Sequence, residues 1–358
     1  MASIRQVAKE AGVSIATVSR VMNGESTVAP QLRRQVMSVV ERFEYVGGAG
    51  RRASDLIALV FAGPFTPGSP YDSACLEGMV EAMRETAHDL AIVDVRRDRL
   101  EGESFRQFFA RKGICGAIVR CTASDRPLVA QMAADGFPLV VLGDHYADSP
   151  APCVYASSAG ASAEAVLHLL SLGHTRIAFA ACFRDDGDHS DRYETYCRVM
   201  KDADKYDESL VFRIPPHRVD GAQLLRRMMA LSQPPTSLYV ADPYIAVGVL
   251  NEAHALGVVI PDQLSLVGFD DVDTRNSVHP RMTAVCQNSR MLGREAFDAL
   301  MRLIQRQDVD SSSCAERQAA WLEIHETTAP PPESVKRVLA GRRGLRQRNV
   351  LEKAPADS

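Results

Sequence analysis

Apolar positions in the first 45 residues recur at helical spacing. Ile4, Val7, Ala8 and Ala11 share one face of a helix, and Gly12 stands where a left-handed C-terminal cap belongs. Ser14 is placed to cap a second helix whose inner face is Val18, Val21 and Met22. The outer face of that helix carries Ile15, Ala16, Thr17, Ser19 and Arg20. Leu32, Val36, Val39, Val40 and Phe43 predict a third helix over 30–43, completing a small three-helix domain that ends at Tyr45. From Asp55 the pattern changes to short apolar runs alternating with amphipathic stretches. Strands are predicted over 56–62, 91–95, 116–120, 139–142, 177–181, 237–240 and 264–269. Helices are predicted between them, over 76–85, 161–172, 221–231, 246–256 and 291–304. Such alternation predicts parallel sheets with helices on both faces. So many units over about 270 residues imply two sheets and two lobes. Ligands in this architecture sit at the carboxyl ends of the strands, here in the cleft between lobes.

Two short helices joined by a tight turn, the second with small and hydroxylated residues outward, have the layout of a helix-turn-helix. A plain helical hairpin would show the same periodicity. An outward Ile15 has little to do in water but can contact a thymine methyl, and Arg20 can fork onto guanine O6 and N7. Charge adds to the picture. Residues 1–52 carry eight Lys/Arg against four Glu and residues 333–358 seven against three, so both ends are +4 and the middle is −12 within a net −4. A basic head on an acidic body suits a DNA-reading domain on a body that avoids phosphate, although basic residues also simply decorate helices.

The composition, 46% hydrophobic and 24% charged, is ordinary for a folded soluble chain. No apolar run approaches a membrane span and no signal peptide precedes the first helix, so a cytoplasmic protein without a membrane partner is expected. The eight cysteines are scattered without a Cys-x-x-Cys pair, which predicts reduced thiols and argues against zinc. The acidic run Asp185-Asp-Gly-Asp-His-Ser-Asp191 lacks the spacing and terminal Glu of a calcium loop and is expected to be a solvated, flexible loop at the pocket rim. The glycines of 46–54 follow no strand, so they form a linker and not a nucleotide loop. Gly-x-Ser-x-Gly, P-loop and His-Glu-x-x-His motifs are all missing, so neither catalytic residues nor a cofactor is expected and the chain is not read as an enzyme.

The string Ala11-Gly-Val-Ser-x-x-Thr-Val-Ser-Arg-x-x-Asn23 closely resembles the N-terminal signature of the lactose-repressor (LacI/GalR) family of bacterial transcription regulators. The resemblance continues through Leu170 to Ala178, through Leu256 to Asp271, and through Pro280 to Gln287. It implies a three-helix helix-turn-helix domain at 1–46 and a Gly/Arg linker at 47–54. It further implies a two-lobed periplasmic-binding-protein-like α/β body at 55–328, used for effector binding and dimerisation. The basic segment 329–358 has no counterpart and is expected to be a disordered tail. By resemblance Ile15, Ala16 and Arg20 read bases, and Ser14, Thr17, Ser19 and Asn23 contact the DNA backbone. Family members bind near-palindromic operators as homodimers, and higher assembly stays open.

The residues that line the family's effector cleft map onto Tyr71, Asp72, Asp144, Arg192, Asp242, Tyr244, Asp270 and Gln287. Carboxylates and a guanidinium at strand ends suit a polyhydroxylated, carbohydrate-like effector. Asp270 and Asp271 could instead cap the turn after a strand. Three positions depart from the family pattern: Asp242-Pro243, Ala156-Ser157 and His325. The linker departs as well, since only ten residues separate Tyr45 from Leu56, too few and too glycine-rich for the family's hinge helix. Arg51 and Arg52 are expected to serve as a minor-groove or phosphate arm in its place. The expected function is a sequence-specific DNA-binding regulator, acting as a repressor, whose operator affinity a small effector sets. The alternatives are a constitutive DNA-binding regulator and a cytoplasmic solute-binding protein.

Overall fold

The computed structural model describes residues 3–22, 28–43, 45, 55–61, 68–305 and 314–332. Asn23, the linker 47–54 with Arg51 and Arg52, and residues 333–358 lie outside the described residues. The head consists of α1 (Ile4–Glu10), α2 (Ile15–Met22) and α3 (Pro30–Arg42). Ser3 and Gln6 form a capping box at the start of α1, and Gly12 takes φ +63° to end it. Ser14 Oγ then accepts from Thr17 N at 3.0 Å and starts α2. Val7, Ala11, Val18, Val21, Val36 and Val40 form the head's core, and Gln35 Nε2 donates to Ala11 O, tying α3 to the end of α1.

Twelve strands build the body among the described residues: β1 (Leu56–Phe61), β2 (Asp89–Val93), β3 (Ile114–Arg120), β4 (Leu139–Leu142), β5 (Cys153–Ser157) and β6 (Ile177–Ala181) come first. They are followed by β7 (Val211–Arg213), β8 (Ser237–Val240), β9 (Ser265–Asp270), β10 (Thr283–Cys286), β11 (Cys314–Ala319) and β12 (Trp321–Glu323). The first sheet runs β2-β1-β3-β4-β5-β11 and is parallel throughout. The second runs β7-β6-β8-β9-β10-β12 and is parallel except for β12. Both lobes thus repeat one strand order, with the reversal beside their first strands, β1 and β6. In such sheets ligands bind at that reversal, off the carboxyl ends.

The chain changes lobe three times among the described residues: after β5, between β10 and the helix Ser289–Ile304, and at Ala320 between β11 and β12. The helix Ser289–Ile304 returns to the first lobe, where Leu292, Phe297 and Leu300 pack with Ile57 and Met79. It crosses the helix Pro70–Met83 so closely that a Cβ on Gly293 would stand 1.9 Å from the Cys75 carbonyl oxygen.

The expected strands over 139–142, 177–181 and 237–240 coincide with β4, β6 and β8. Strands β5, β7, β10, β11 and β12 add to the expected set because they are short or polar, and β11 has no apolar run to announce it. The body also extends past 328. Ala329 N donates to Ser265 Oγ, and Ala329 O accepts from His174 Nε2. These bonds hold the start of the segment expected to be a disordered tail.

Gly293→Ala should lower stability by about 1–3 kcal/mol, since the clashing atoms are backbone and cannot rotate away. Gly160→Ala, where nothing lies within 4 Å of the added methyl, should leave stability unchanged or slightly raised. Urea midpoints of the two variants test the helix crossing, and equal midpoints would contradict it.

Candidate functional site

The head presents a surface that its own packing does not use. Val18 and Val21 turn inward, while Ser14, Ile15, Ala16 and Arg20 face outward and Thr17 and Ser19 are half-buried. Ile15 is 46% exposed at the tip of α2, an unusual place for a large aliphatic side chain unless a partner covers it. Ser14 Oγ also pairs with Thr17 Oγ1 at 2.8 Å, so both hydroxyls stand at the N-terminal end of α2, where backbone N–H groups attract phosphate oxygens.

The second site is a cavity of about 100 Å³ between the lobes. Of the eight expected cleft residues, the structure brings Tyr71, Arg192, Asp242 and Tyr244 to its wall. Tyr71 sits beneath the Arg120 guanidinium at 4.5 Å, and Tyr244 Oη donates to Gly68 O across the lobes at 2.7 Å. Arg192 is buried, lies 3.5 Å over the Phe269 ring and donates to Ala241 O. Asp242 Oδ2 accepts from Cys182 N at 2.6 Å.

The other four stand behind the wall. Asp72 accepts from Arg120 Nε at 2.8 Å and fixes that guanidinium. Asp144 accepts two bonds from Arg126 and a third from Gly187 N at 2.7 Å. Gln287 Nε2 donates to Asp271 Oδ1 at 2.6 Å. Asp270, expected in the cleft, instead caps the turn after β9: it accepts from the backbone N–H groups of Thr274 and Arg275 and pairs with the Arg275 guanidinium at 2.9 Å. Asp271, its neighbour, faces the cavity.

The acidic run is not the solvated loop that its composition suggests. Asp186 caps the helix Gly187–Asp202, accepting from His189 N, and Asp186, Asp188 and His189 are all buried. Burial of so many charges is offset by counter-charges and by the helix N-terminus. Burial works against a charged Asp186, but His189 and Arg184 outweigh it and hold the carboxyl below its ordinary value. Burial first, and the Asp186 charge second, push Asp188 up. The His189 ring is likewise disfavoured as a cation by burial, yet the Asp186 carboxylate 2.8 Å away keeps it protonated well above its usual range.

This helix start also joins the lobes. Besides Asp144 to Gly187, Ala123 N donates to Asp185 O at 2.6 Å, and His145 Nε2 pairs with Asp191 Oδ2 at 3.2 Å. A Cβ on Gly187 would fall 2.7 Å from the His145 carbonyl oxygen, so only glycine permits this approach. Sequence reasoning missed Arg120, Cys182, Asp186, His189 and Asp271 as cavity residues. Arg120 did leave a signal, as a charge ending an otherwise apolar buried strand.

Comparison with known proteins agrees with this division. The family model described as "Bacterial regulatory proteins, lacI family" matches residues 3–47, and that of the "Periplasmic binding protein-like domain" matches residues 166–318. The chain is 25% identical to the HTH-type transcriptional repressor PurR of Haemophilus influenzae over 312 residues, 86% of this chain and 93% of the relative. The corresponding repressor of Pectobacterium carotovorum is 25% identical over 333 residues, 91% and 95% of the two chains. Among solved structures, a lac repressor dimer bound to operator and the anti-inducer ONPF superposes with a TM-score of 0.66 at 23% identity, covering 92% of this chain and 99% of that one. The cellobiose complex of the transcriptional regulator CelR gives 0.65 at 24%, covering 91% and 100%.

Burial pushes the Asp271 carboxyl from 3.8 up to about 6, against the pull of Arg192. The folded chain therefore holds this proton more tightly than the unfolded chain, and stability should fall as pH rises from about 4 to about 6. Asp271→Asn should remove that fall and stabilise the protein at pH 7 by on the order of 2 kcal/mol. Urea denaturation across this window checks it, and parallel pH profiles of the two proteins would contradict it.

Proposed function

Because the chain belongs to the lacI family of bacterial regulatory proteins and is a DNA-binding transcriptional regulator, we propose that it represses from a near-palindromic operator and that a small polar ligand between its lobes sets the affinity. The observation that carries this is the outward face of α2, where Ile15, Ala16 and Arg20 stand exposed on a head whose own core is complete. Ile15 and Ala16 offer apolar contacts to thymine methyls, and Arg20 offers a fork for guanine. Ser14, Thr17, Ser19 and Asn23 fix the head on the phosphates, and Arg51 and Arg52 follow as a basic arm. Two copies of the chain present two heads, one for each half-site.

The cavity is suited to a compact hydroxylated ligand. Arg192 and Asp242 can each bond two hydroxyls, and Tyr71 and Tyr244 supply aromatic faces. The cellobiose in the CelR complex supports a carbohydrate-like molecule. Asp72, Asp144, Asp270 and Gln287 take positioning roles behind this wall. The ligand acts by stabilising one arrangement of the lobes, which shifts the spacing of the paired heads.

Arg20→Ala should cost about 1–3 kcal/mol per half-site and relax base preference at one position. Selection of bound sequences from random DNA with both proteins checks this, and uniform weakening without a change of preference would make Arg20 a phosphate contact. Neutralising Arg51 and Arg52 together should weaken binding to all sequences and flatten its dependence on salt, with the slope of log affinity against log salt reduced by about 2. An unchanged slope would remove the arm.

A further inference from the structure

Three potential metal ligands converge at the strand-order reversal of the second lobe. Cys182 follows β6 directly, Asp242 follows β8, and His189 lies in the first turn of the helix Gly187–Asp202. All three are buried, and a donor atom from each lies within 4.8 Å of the others. The geometry of His189 is the informative part. Its Nδ1 is bonded to Asp186 Oδ1 at 2.8 Å, and Nε2 faces Asp242 Oδ1 at 3.7 Å, close enough for an ion pair but too far for a hydrogen bond. Nε2 has no hydrogen-bond partner although it is shielded from solvent. A buried ring nitrogen without a partner is costly, and the ordinary remedies are a proton acceptor, a water or a cation.

We infer that Cys182 Sγ, His189 Nε2 and Asp242 Oδ1 form a binding site for a divalent transition-metal ion of the zinc class. Metal–ligand bonds of about 2.0–2.3 Å place two ligands of a tetrahedral site roughly 3.3–3.8 Å apart. The His189–Asp242 pair already stands at that separation. One thiolate, one imidazole and one carboxylate form a borderline-soft set that suits zinc and cobalt better than magnesium or calcium. Asp186 completes the carboxylate–histidine–metal arrangement that fixes ring orientation at such sites. The surroundings tolerate a cation that displaces the His189 Nε2 proton: Asp186, Asp188, Asp242 and Asp271 face the cavity, against Arg184, Arg192 and an Arg120 already paired with Asp72. Three protein ligands leave the fourth position facing the cavity, where a ligand oxygen or water completes the shell. The ligands lie far apart in the sequence, at 182, 189 and 242, so no spacing motif announces them.

The site rests on the cavity's geometry and not on DNA binding, so it is tested without DNA. The full-length protein, stripped with a chelator, is titrated with Co2+ and followed by visible absorption, with Zn2+ as competitor. One Co2+ per chain, a thiolate-to-cobalt charge-transfer band and displacement by Zn2+ are expected. Cys182→Ser should lose the band, whereas Cys115→Ser in the other lobe should keep it. Asp186→Asn, a positioning change, should weaken binding roughly 10–100-fold and keep the band. X-ray absorption of the Zn2+-loaded wild-type protein reads the ligand set without any variant, and one sulfur with lighter neighbours is expected. No saturable binding, a band that survives Cys182→Ser, or a zinc shell without sulfur would overturn the inference. Operator affinity measured afterwards with and without Zn2+ asks separately whether the ion regulates.

Discussion

The two lobes of this protein are joined by polar groups that each of them supplies, with the buried Asp144 carboxylate at the centre. Asp144 belongs to the first lobe but accepts its bond from Gly187 at the start of a helix in the second. His145 meets Asp191, and Tyr244 reaches back to Gly68. An isolated carboxylate as buried as Asp144 would cost several kcal/mol; Arg126 of its own lobe bonds both oxygens, and Gly187 N adds a bond from the other lobe. Bringing the lobes together satisfies these groups, and separating them exposes the same groups to water. In the proposed mechanism a ligand in the cavity shifts the balance between lobe arrangements only by as much as it prefers one of them.

The same junction explains why the cavity is small and edged by charged side chains. The helix Gly187–Asp202 brings its positive end, the Asp186 cap and His189 to one side. The strand ends of β3 and β8 bring Arg120 and Asp242 to the other sides. Three charged groups in the wall have a fixed partner behind them: Asp72 for Arg120, Ala241 O for Arg192, Gln287 for Asp271. Such pre-oriented groups lose little freedom on binding, which favours recognition of a small ligand through few contacts.

Much of this was legible in the sequence. The three helices of the head follow from apolar spacing, Gly12 and Ser14, because a domain of that size offers few ways to bury Val18, Val21 and Val36. Runs such as Leu139–Leu142 and Ile177–Ala181 reveal buried parallel strands because both faces are covered. The cavity was legible only in part. Tyr71, Arg192, Asp242 and Tyr244 reach its wall, but adjacent residues at the end of β9 divide their work, with Asp270 capping a turn and Asp271 facing inward. One residue of register decides between those roles, and periodicity does not resolve it. The acidic run at 185–191 was misread because its counter-charges, Arg120, Arg184 and His145, come partly from the other lobe. Edge strands β11 and β12 take their form from pairing and not from their own composition.

If lobe closure and DNA affinity form one equilibrium, Gly187 gives direct access to it. A methyl there meets the His145 backbone and holds the lobes apart while leaving α2 untouched. The measurement is operator affinity of Gly187→Ala beside the wild type, with small-angle scattering on both proteins to record lobe separation. A more open body and an operator affinity changed by roughly 5–150-fold are expected. An opened body that binds operator as the wild type does would show that lobe closure and DNA affinity are separate events.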